Sequence, residues 1–147
     1  MNTNRIVLNE TSYFGPGSRS VIPEEVKRRN LKKAFIVTDN DLVKFGVVKQ
    51  VTDILEQAAI PYTIFAEVKA GVKAYAASAA DFIIAIGGGS PTDTAKAIGI
   101  ITNNPEFSNV VSLEGVANTK NKSVPIIALP TTAGTAAEVT INYVITD

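Results

Sequence analysis

The fold is decided by one stretch of the sequence, Phe82-Ile83-Ile84-Ala85-Ile86-Gly87-Gly88-Gly89-Ser90-Pro91-Thr92-Asp93. Its leading apolar residues are too few for a helix and are typical of a buried parallel strand. The three glycines allow positive φ angles and let a ligand approach the backbone closely. The residues that follow predict the start of a helix, with Ser90 as N-cap, Pro91 at the first helical position and Asp93 completing a capping box.

A glycine turn that leads into a helix can bind an anion, because free N–H groups and the positive end of the helix dipole meet there. Phosphate is therefore the first expected ligand. The stretch differs from the dinucleotide fingerprint G-x-G-x-x-G, since Thr92 replaces the third glycine, and from a Walker loop, since no lysine precedes a Ser or Thr at the helix start. A tight strand–helix connection without a ligand is the alternative interpretation.

Composition limits the classes of protein to which the chain can belong. The 147 residues suffice for one domain with a real core, and 14 basic residues balance 14 acidic ones. A neutral chain without a basic stripe argues against nucleic acid or an anionic membrane as partner. We expect a cytoplasmic protein, because no signal peptide or membrane span is visible and cysteine is absent. Histidine is absent too, which excludes histidine triads and the usual ligands of zinc or iron.

Predicted strands alternate with predicted helices, which favours a parallel, doubly wound α/β sheet. We expect strands at 5–9, 34–37, 62–68, 82–86 and 124–129, and helices that begin near 23, follow the second strand, cover 72–80, and run from 90 to 103. Residues 140–146 are rich in β-forming side chains. One crossover is short, because only the 12 residues 69–80 separate two of these strands. Either its helix is minimal or residues are missing near 69–70.

Three predicted strands end in polar or glycine-rich residues, at 38–39, 87–90 and 131–135. In a parallel sheet these carboxyl ends lie along one edge, where open α/β folds bind ligands. Asp39 could accept both hydroxyls of an adenosine ribose and repel a 2′-phosphate, favouring NAD over NADP; the alternative is a helix N-cap. The threonines could donate to a phosphate or to the nicotinamide amide; the alternative is a self-capping turn.

Two motifs resemble those of the iron-dependent (group III) alcohol dehydrogenases. Residues 86–96, Ile-Gly-Gly-Gly-Ser-Pro-Thr-Asp-Thr-Ala-Lys, are similar to the G-G-G-S-x-x-D-x-A-K signature, and residues 130–140, Pro-Thr-Thr-Ala-Gly-Thr-Ala-Ala-Glu-Val-Thr, to the second motif of that family. The resemblance implies a Rossmann-like, mainly parallel domain of the dehydroquinate-synthase N-terminal type, with an N-terminal β-strand or hairpin. Residues 1–147 would then be the NAD-binding domain of an enzyme whose separate, helical C-terminal domain carries the metal.

The resemblance also implies roles for individual residues. The G-G-G-S backbone holds the NAD pyrophosphate, the acid after the earlier strand takes the adenosine ribose, and the aspartate of the first motif lies near the nicotinamide. The expected cofactor-binding residues are Asp39, Gly87, Gly88, Gly89, Ser90, Asp93, Thr131, Thr132, Thr135, Thr140 and Asn142. The ligands of Fe2+ or Zn2+ are expected after Asp147, so no catalytic residue is assigned here. A Pro-Asn-Pro loop of the family is missing near 69–70, as a deletion or a gap.

The implied function is hydride transfer between NAD(H) and a small alcohol and aldehyde pair, such as propane-1,2-diol and lactaldehyde, with this chain alone inactive. A homodimer is implied through the first strand. This favours a pairing role for the loop from Tyr13 to Ser18, which is otherwise a plain turn with two exposed aromatic residues. Alternative functions are those of glycerol dehydrogenase or dehydroquinate synthase, or a nucleotide-binding module without chemistry.

Overall fold

In the described part of the chain, four parallel strands form one sheet. The computed structural model describes residues 10–66, 70–113 and 118–140. The strands are β1 (Ala34–Val37), β2 (Tyr62–Phe65), β3 (Phe82–Gly87) and β4 (Ile126–Pro130), in the order β2-β1-β3-β4. Every neighbouring pair is parallel. The predicted α/β class with a parallel sheet is thereby confirmed, whereas the strands expected at 5–9 and within 141–146 lie outside the described residues.

Within the described residues, five α-helices connect and cover these strands. They are α1 (Ile22–Arg28), α2 (Asn40–Lys44), α3 (Lys49–Gln57), α4 (Gly71–Ser78) and α5 (Gly89–Asn103). The described residues also form short 3₁₀ helices, at Ser18–Val21, Pro105–Phe107, Val110–Leu113 and Ala137–Val139. No helix in the described part of the chain is both long enough and apolar enough to cross a membrane.

The sheet separates two apolar clusters, because successive side chains of a strand point to opposite faces. On one face Ile36, Ile84 and Ile86 pack with residues of α1 and α3. On the other face Phe35 and Ile83 pack with residues of α4 and α5. Helices therefore cover both faces, and β3 is buried along its whole length, as its continuous apolar sequence predicts.

The strand β2 ends earlier than predicted, and the crossover that follows it is longer. The strand expected at 62–68 ends at Phe65, because β2 pairs only along the four residues of β1, from Ala34 opposite Tyr62 to Val37 opposite Phe65. The crossover from Ala66 to Asp81 is accordingly longer than expected and holds the eight-residue helix α4. The deletion or gap predicted near 69–70 falls largely on residues 67–69, outside the described part, and stays a prediction.

The start of α5 was predicted wrongly. Gly88 is the N-cap, Gly89 is the first helical residue, and no side-chain hydrogen bond caps the helix. Ser90 is therefore the second helical residue and Pro91 the third, each two positions later in the helix than expected. Asp93 does not complete a capping box; its carboxylate pairs with Lys96 instead.

A buried carboxylate joins the segment before α1 to that helix. Glu25 is only 7% exposed and accepts hydrogen bonds from Arg28 at 2.7 Å, from the Tyr13 hydroxyl at 2.5 Å and from Arg29 at 3.1 Å. The hydrogen bonds from Arg28, Tyr13 and Arg29, in that order, lower the pKa of Glu25 from 4.5 to about 2. Tyr13 is thus fixed by a carboxylate, while the next residue, Phe14, is 93% exposed.

Candidate functional site

The glycine turn after β3 is shaped by close packing rather than by polar capping. Gly87 has a φ of +146°, and a Cβ atom built there would lie 2.6 Å from Cγ of Pro91. A side chain at this position would therefore be strained and would clash. Gly88 adopts an extended conformation, with φ −80° and ψ −150°, and begins α5. Pro91 has no N–H, so the amides available at this helix start belong to the residues immediately before it.

The segment after β4 lies directly against this turn. The amide of Thr131 donates to the Gly87 carbonyl at 3.0 Å. A Cβ atom at Gly88 would lie 2.9 Å from the Thr132 hydroxyl oxygen, and one at Gly89 would lie 3.5 Å from the Thr135 methyl group. A side chain at position 88 would therefore displace the threonine hydroxyl from its place beside the backbone. The structure brings together the two segments that the sequence singled out separately.

The loop continues along α5 beyond the turn. Residues 89, 93 and 96 lie on one face of the helix, because they are separated by four and three positions. Lys96 Nζ lies 3.3 Å from Asp93 Oδ1 and 3.3 Å from the Thr140 hydroxyl. The side chains of Asp93 and Lys96 are 12% and 15% exposed. Two turns of α5 are thus in contact with the loop from 131 to 140.

Asp39 occupies the carboxyl end of the neighbouring strand. It is the N-cap of α2, and its Oδ1 accepts a hydrogen bond from the Leu42 amide at 2.8 Å. Leu42 in turn approaches the turn, since its Cδ1 would be 3.4 Å from a Cβ atom at Gly87. The capping interpretation of Asp39 is therefore confirmed. It does not exclude a ribose contact, because a carboxylate has about four lone-pair sites.

These residues surround the point at which the order of the strands reverses. The chain passes from β1 to β2 on one side and then to β3 on the other side. In open α/β sheets, ligands bind outside the carboxyl ends of the strands at such a switch point. The combination of bare backbone amides, threonine hydroxyls and a half-buried carboxylate can bind an anionic group and a neighbouring pair of hydroxyls.

Of the residues predicted to bind the cofactor, ten lie within the described part. Nine of them line the strand ends or the first turn of α5, and Thr140 contacts the second turn through Lys96. Asn142 lies outside the described residues. The sequence analysis gave no role to Lys96 or Leu42. Each follows an aspartate by three positions, Lys96 after Asp93 and Leu42 after Asp39, and this helical spacing could have indicated the two contacts.

The fold and the turn define an open α/β domain with a candidate ligand site at its switch point. A model of the iron-containing alcohol dehydrogenase family matches residues 9–147. The chain belongs to this family.

Individual relatives agree with this assignment. Lactaldehyde reductase of Escherichia coli (strain K12) is 56% identical over 153 residues, which covers 98% of this chain and 40% of that protein. The 1,3-propanediol dehydrogenase of Citrobacter freundii is 35% identical over 152 residues, covering 96% of this chain and 39% of that protein. The chain thus spans about 40% of the length of these relatives.

Solved structures show the same fold. The alcohol dehydrogenase from Oenococcus oeni superposes with a TM-score of 0.84 at 35% identity, covering 94% of this chain and 38% of that one. The sulfoacetaldehyde reductase from Bifidobacterium kashiwanohense, in complex with NAD+, gives a TM-score of 0.79 at 25% identity, covering 95% of this chain and 39% of that one.

The described residues provide no set of ligands for the iron that gives the family its name. Within 10–66, 70–113 and 118–140, no three histidine, cysteine, aspartate or glutamate side chains are grouped so that they could hold a metal ion. These residues do not fit an iron site. The turn at 87–90, in contrast, offers backbone amides that no side chain caps at the start of α5, which is the chemistry that an anionic group such as a diphosphate requires.

Proposed function

We propose that this chain is the NAD(H)-binding domain of an enzyme that transfers a hydride between NAD(H) and a small alcohol or aldehyde. The observation that carries the proposal is the close approach of the Thr132 hydroxyl to Gly88, at the uncapped start of α5. Membership of the iron-containing alcohol dehydrogenase family supports the reaction type. This chain's contribution is to bind and orient the cofactor.

The pyrophosphate of NAD is the group that the glycine turn would hold. The first N–H groups of α5 have no partner inside the helix and are not capped by a side chain. They point along the helix axis with the positive end of the dipole, so a diphosphate both completes their hydrogen bonds and neutralises that charge. Ser90, which is exposed at the second helical position, adds a hydroxyl.

The two ends of NAD extend from the turn toward different strands. Asp39, at the end of β1, would accept the hydroxyls of the adenosine ribose and disfavour the phosphate of NADP. Thr131, Thr132 and Thr135, after β4, would contact the diphosphate or the nicotinamide amide. The nicotinamide is then oriented on the side of α5 that carries Asp93, and Thr140 and Asn142 extend the site there.

The finer assignments follow the relatives. The 56% identical protein is named lactaldehyde reductase, so we assign lactaldehyde and propane-1,2-diol as the substrate pair. Iron, held by residues outside the described part, would supply Lewis-acid polarisation of the substrate oxygen. A cytoplasmic homodimer that pairs through the N-terminal strand completes the proposal, and the exposed ring of Phe14 supports a contact at that end.

Titration with NAD tests the proposal. Gly88→Val places two methyl groups against Thr132 and over the amides, so we expect its affinity for NAD, measured by calorimetry, to fall about 100-fold, the equivalent of about 2.7 kcal/mol. The backbone of Gly88 is extended, with negative φ, so the chain should still fold.

Ala77→Val is the control, because it also introduces a valine side chain, at an exposed position of α4. It should bind NAD like the unaltered chain. Unchanged affinity of Gly88→Val, or no binding by the unaltered chain, would contradict the proposal.

A further inference from the structure

The geometry points to Lys96 as a positioning residue that holds the loop 131–140 against α5. This inference rests on the proposed function, because the loop carries the threonines assigned to the cofactor. Lys96 is the eighth residue of α5, seven positions after Gly89. It acts through Asp93 and Thr140, which its ammonium group joins at 3.3 Å each.

The contacts between loop and helix occur in order along both segments. Thr132 lies against Gly88 and Thr135 against Gly89, both at the helix start. Seven positions further along α5, Lys96 reaches Thr140. Between these points Ala137 is buried, and its amide lies 3.5 Å from the Thr135 hydroxyl. The loop is therefore attached to the helix near its beginning and at its end.

The attachment at the end of the loop, at Thr140, is made by polar and charged side chains. At the glycine turn, the Thr131 amide donates one hydrogen bond to the Gly87 carbonyl, and the side chains of Thr132 and Thr135 lie beside Gly88 and Gly89. Apolar contacts of exposed threonines fix a loop weakly, because little area is removed from water. Lys96, whose side chain is only 15% exposed, carries a charge that needs charged and polar partners at this position. Asp93 and Thr140 are such partners.

The position of Lys96 argues against a direct contact with the diphosphate. A rise of 1.5 Å per residue places its Cα about 10 Å along the axis from that of Gly89. Its charge is also paired with Asp93 on the same helix face. Lys96 thus adds little to the electrostatic attraction of the anion, and its effect on binding has to pass through the loop.

Hydrogen exchange in the ligand-free chain distinguishes a residue that holds the loop from one that contacts the ligand directly. In Lys96→Met the amides of 131–140 should exchange about tenfold faster, and NAD should bind about tenfold more weakly. Lys96→Arg, which can reach both partners, should restore part of each. Lys73→Met is the matched control, because it makes the same change at an exposed lysine of α4 and should alter neither quantity.

Thr140→Val provides a second variant at an exposed position, where a failure to fold is not expected. It should accelerate exchange in 131–140, and its effect should not add to that of Lys96→Met. Weaker NAD binding by Lys96→Met with unchanged exchange would show a direct ligand contact and overturn the inference, as would unchanged exchange in Thr140→Val. If the unaltered chain fails to bind NAD, the proposed function fails, while the exchange rates still decide whether Lys96 holds the loop.

Discussion

The two ends of α5 are completed in opposite ways. At the carboxyl end, Asn104 is fully buried, and its side chain donates to the carbonyls of Ile100 and Asn121 at 2.9 and 3.0 Å. The same side chain accepts from the amides of Lys120 and Asn121 at 3.1 and 2.9 Å. At the amino end, Gly88 offers no side chain, and no side-chain hydrogen bond caps the helix.

Because of this difference, we expect the carboxyl end of α5 to contribute to stability and its amino end to ligand binding. Buried polar groups are costly unless they are hydrogen-bonded, and Asn104 satisfies this condition from within the chain. The amino end instead leaves its amides to solvent or to a ligand. We infer that changes near Asn104 alter the free energy of unfolding, whereas changes near Gly88 alter affinity.

The largest expected effect on stability is at the carboxyl end. Asn104→Ala removes four hydrogen bonds from a buried site, so we expect the free energy of unfolding to fall by about 2–4 kcal/mol. Denaturant titration measures it. Asn103→Ala is the control, because Asn103 is exposed and its side-chain amide donates one hydrogen bond, to the Lys122 carbonyl at 2.8 Å. This variant should lose less than about 1 kcal/mol of unfolding free energy. Equal losses in the two variants would refute the contrast.

A smaller effect, on cofactor preference, is expected at Asp39, which lies at the end of β1 beside the glycine turn. Asp39→Asn retains an oxygen that can accept from the Leu42 amide but removes the charge. The preference for NAD over NADP, measured as a ratio of dissociation constants, should fall about tenfold, since a charged partner contributes roughly 1–2 kcal/mol more than a neutral one. Asp39→Ala should lose the same preference and also about 1 kcal/mol of stability with its cap. An unchanged ratio in Asp39→Asn would remove the ribose assignment.

The smallest effect is expected far from α5, at Glu25. Its pKa of about 2 is below the ordinary 4.5, so the charged form is favoured by folding. The stabilisation is therefore complete above pH 4.5 and is lost as the pH falls toward 2. Thermal melting of Glu25→Gln should show a deficit at pH 6 that shrinks below pH 4.5. NAD affinity at pH 7 should not change, and a deficit independent of pH would contradict the assignment.

The sequence predicted the sheet well, because β1 and β3 are short apolar runs that end at polar or glycine residues. It also placed the glycine turn, Asp39 and the threonines at one edge, since parallel strands have their carboxyl ends together. The start of α5 was missed, because the general preference for serine over glycine as N-cap favours Ser90. Here the ring of Pro91 packs against Gly87 and the helix begins earlier.

Other features depend on contacts between distant segments and leave no local pattern. The approach of Thr132 to Gly88 and the bridge from Lys96 to Thr140 each join residues more than forty positions apart. The length of β2 was overestimated for a similar reason. The prediction extended this strand to Val68, whereas the four residues of β2 already pair along the whole of β1 and Ala66 is no longer part of the strand.

The pairing of the strands also has a consequence for the kinetics of folding. Ala34 pairs with Tyr62 on one side and with Phe82 on the other, so no two neighbouring strands are joined by a hairpin. The central strand cannot gain its second neighbour until the chain as far as Gly87 is available. A nascent chain therefore exposes the apolar residues of β1 for much of its synthesis, and acquisition of the native topology is governed by the slow search for non-local contacts.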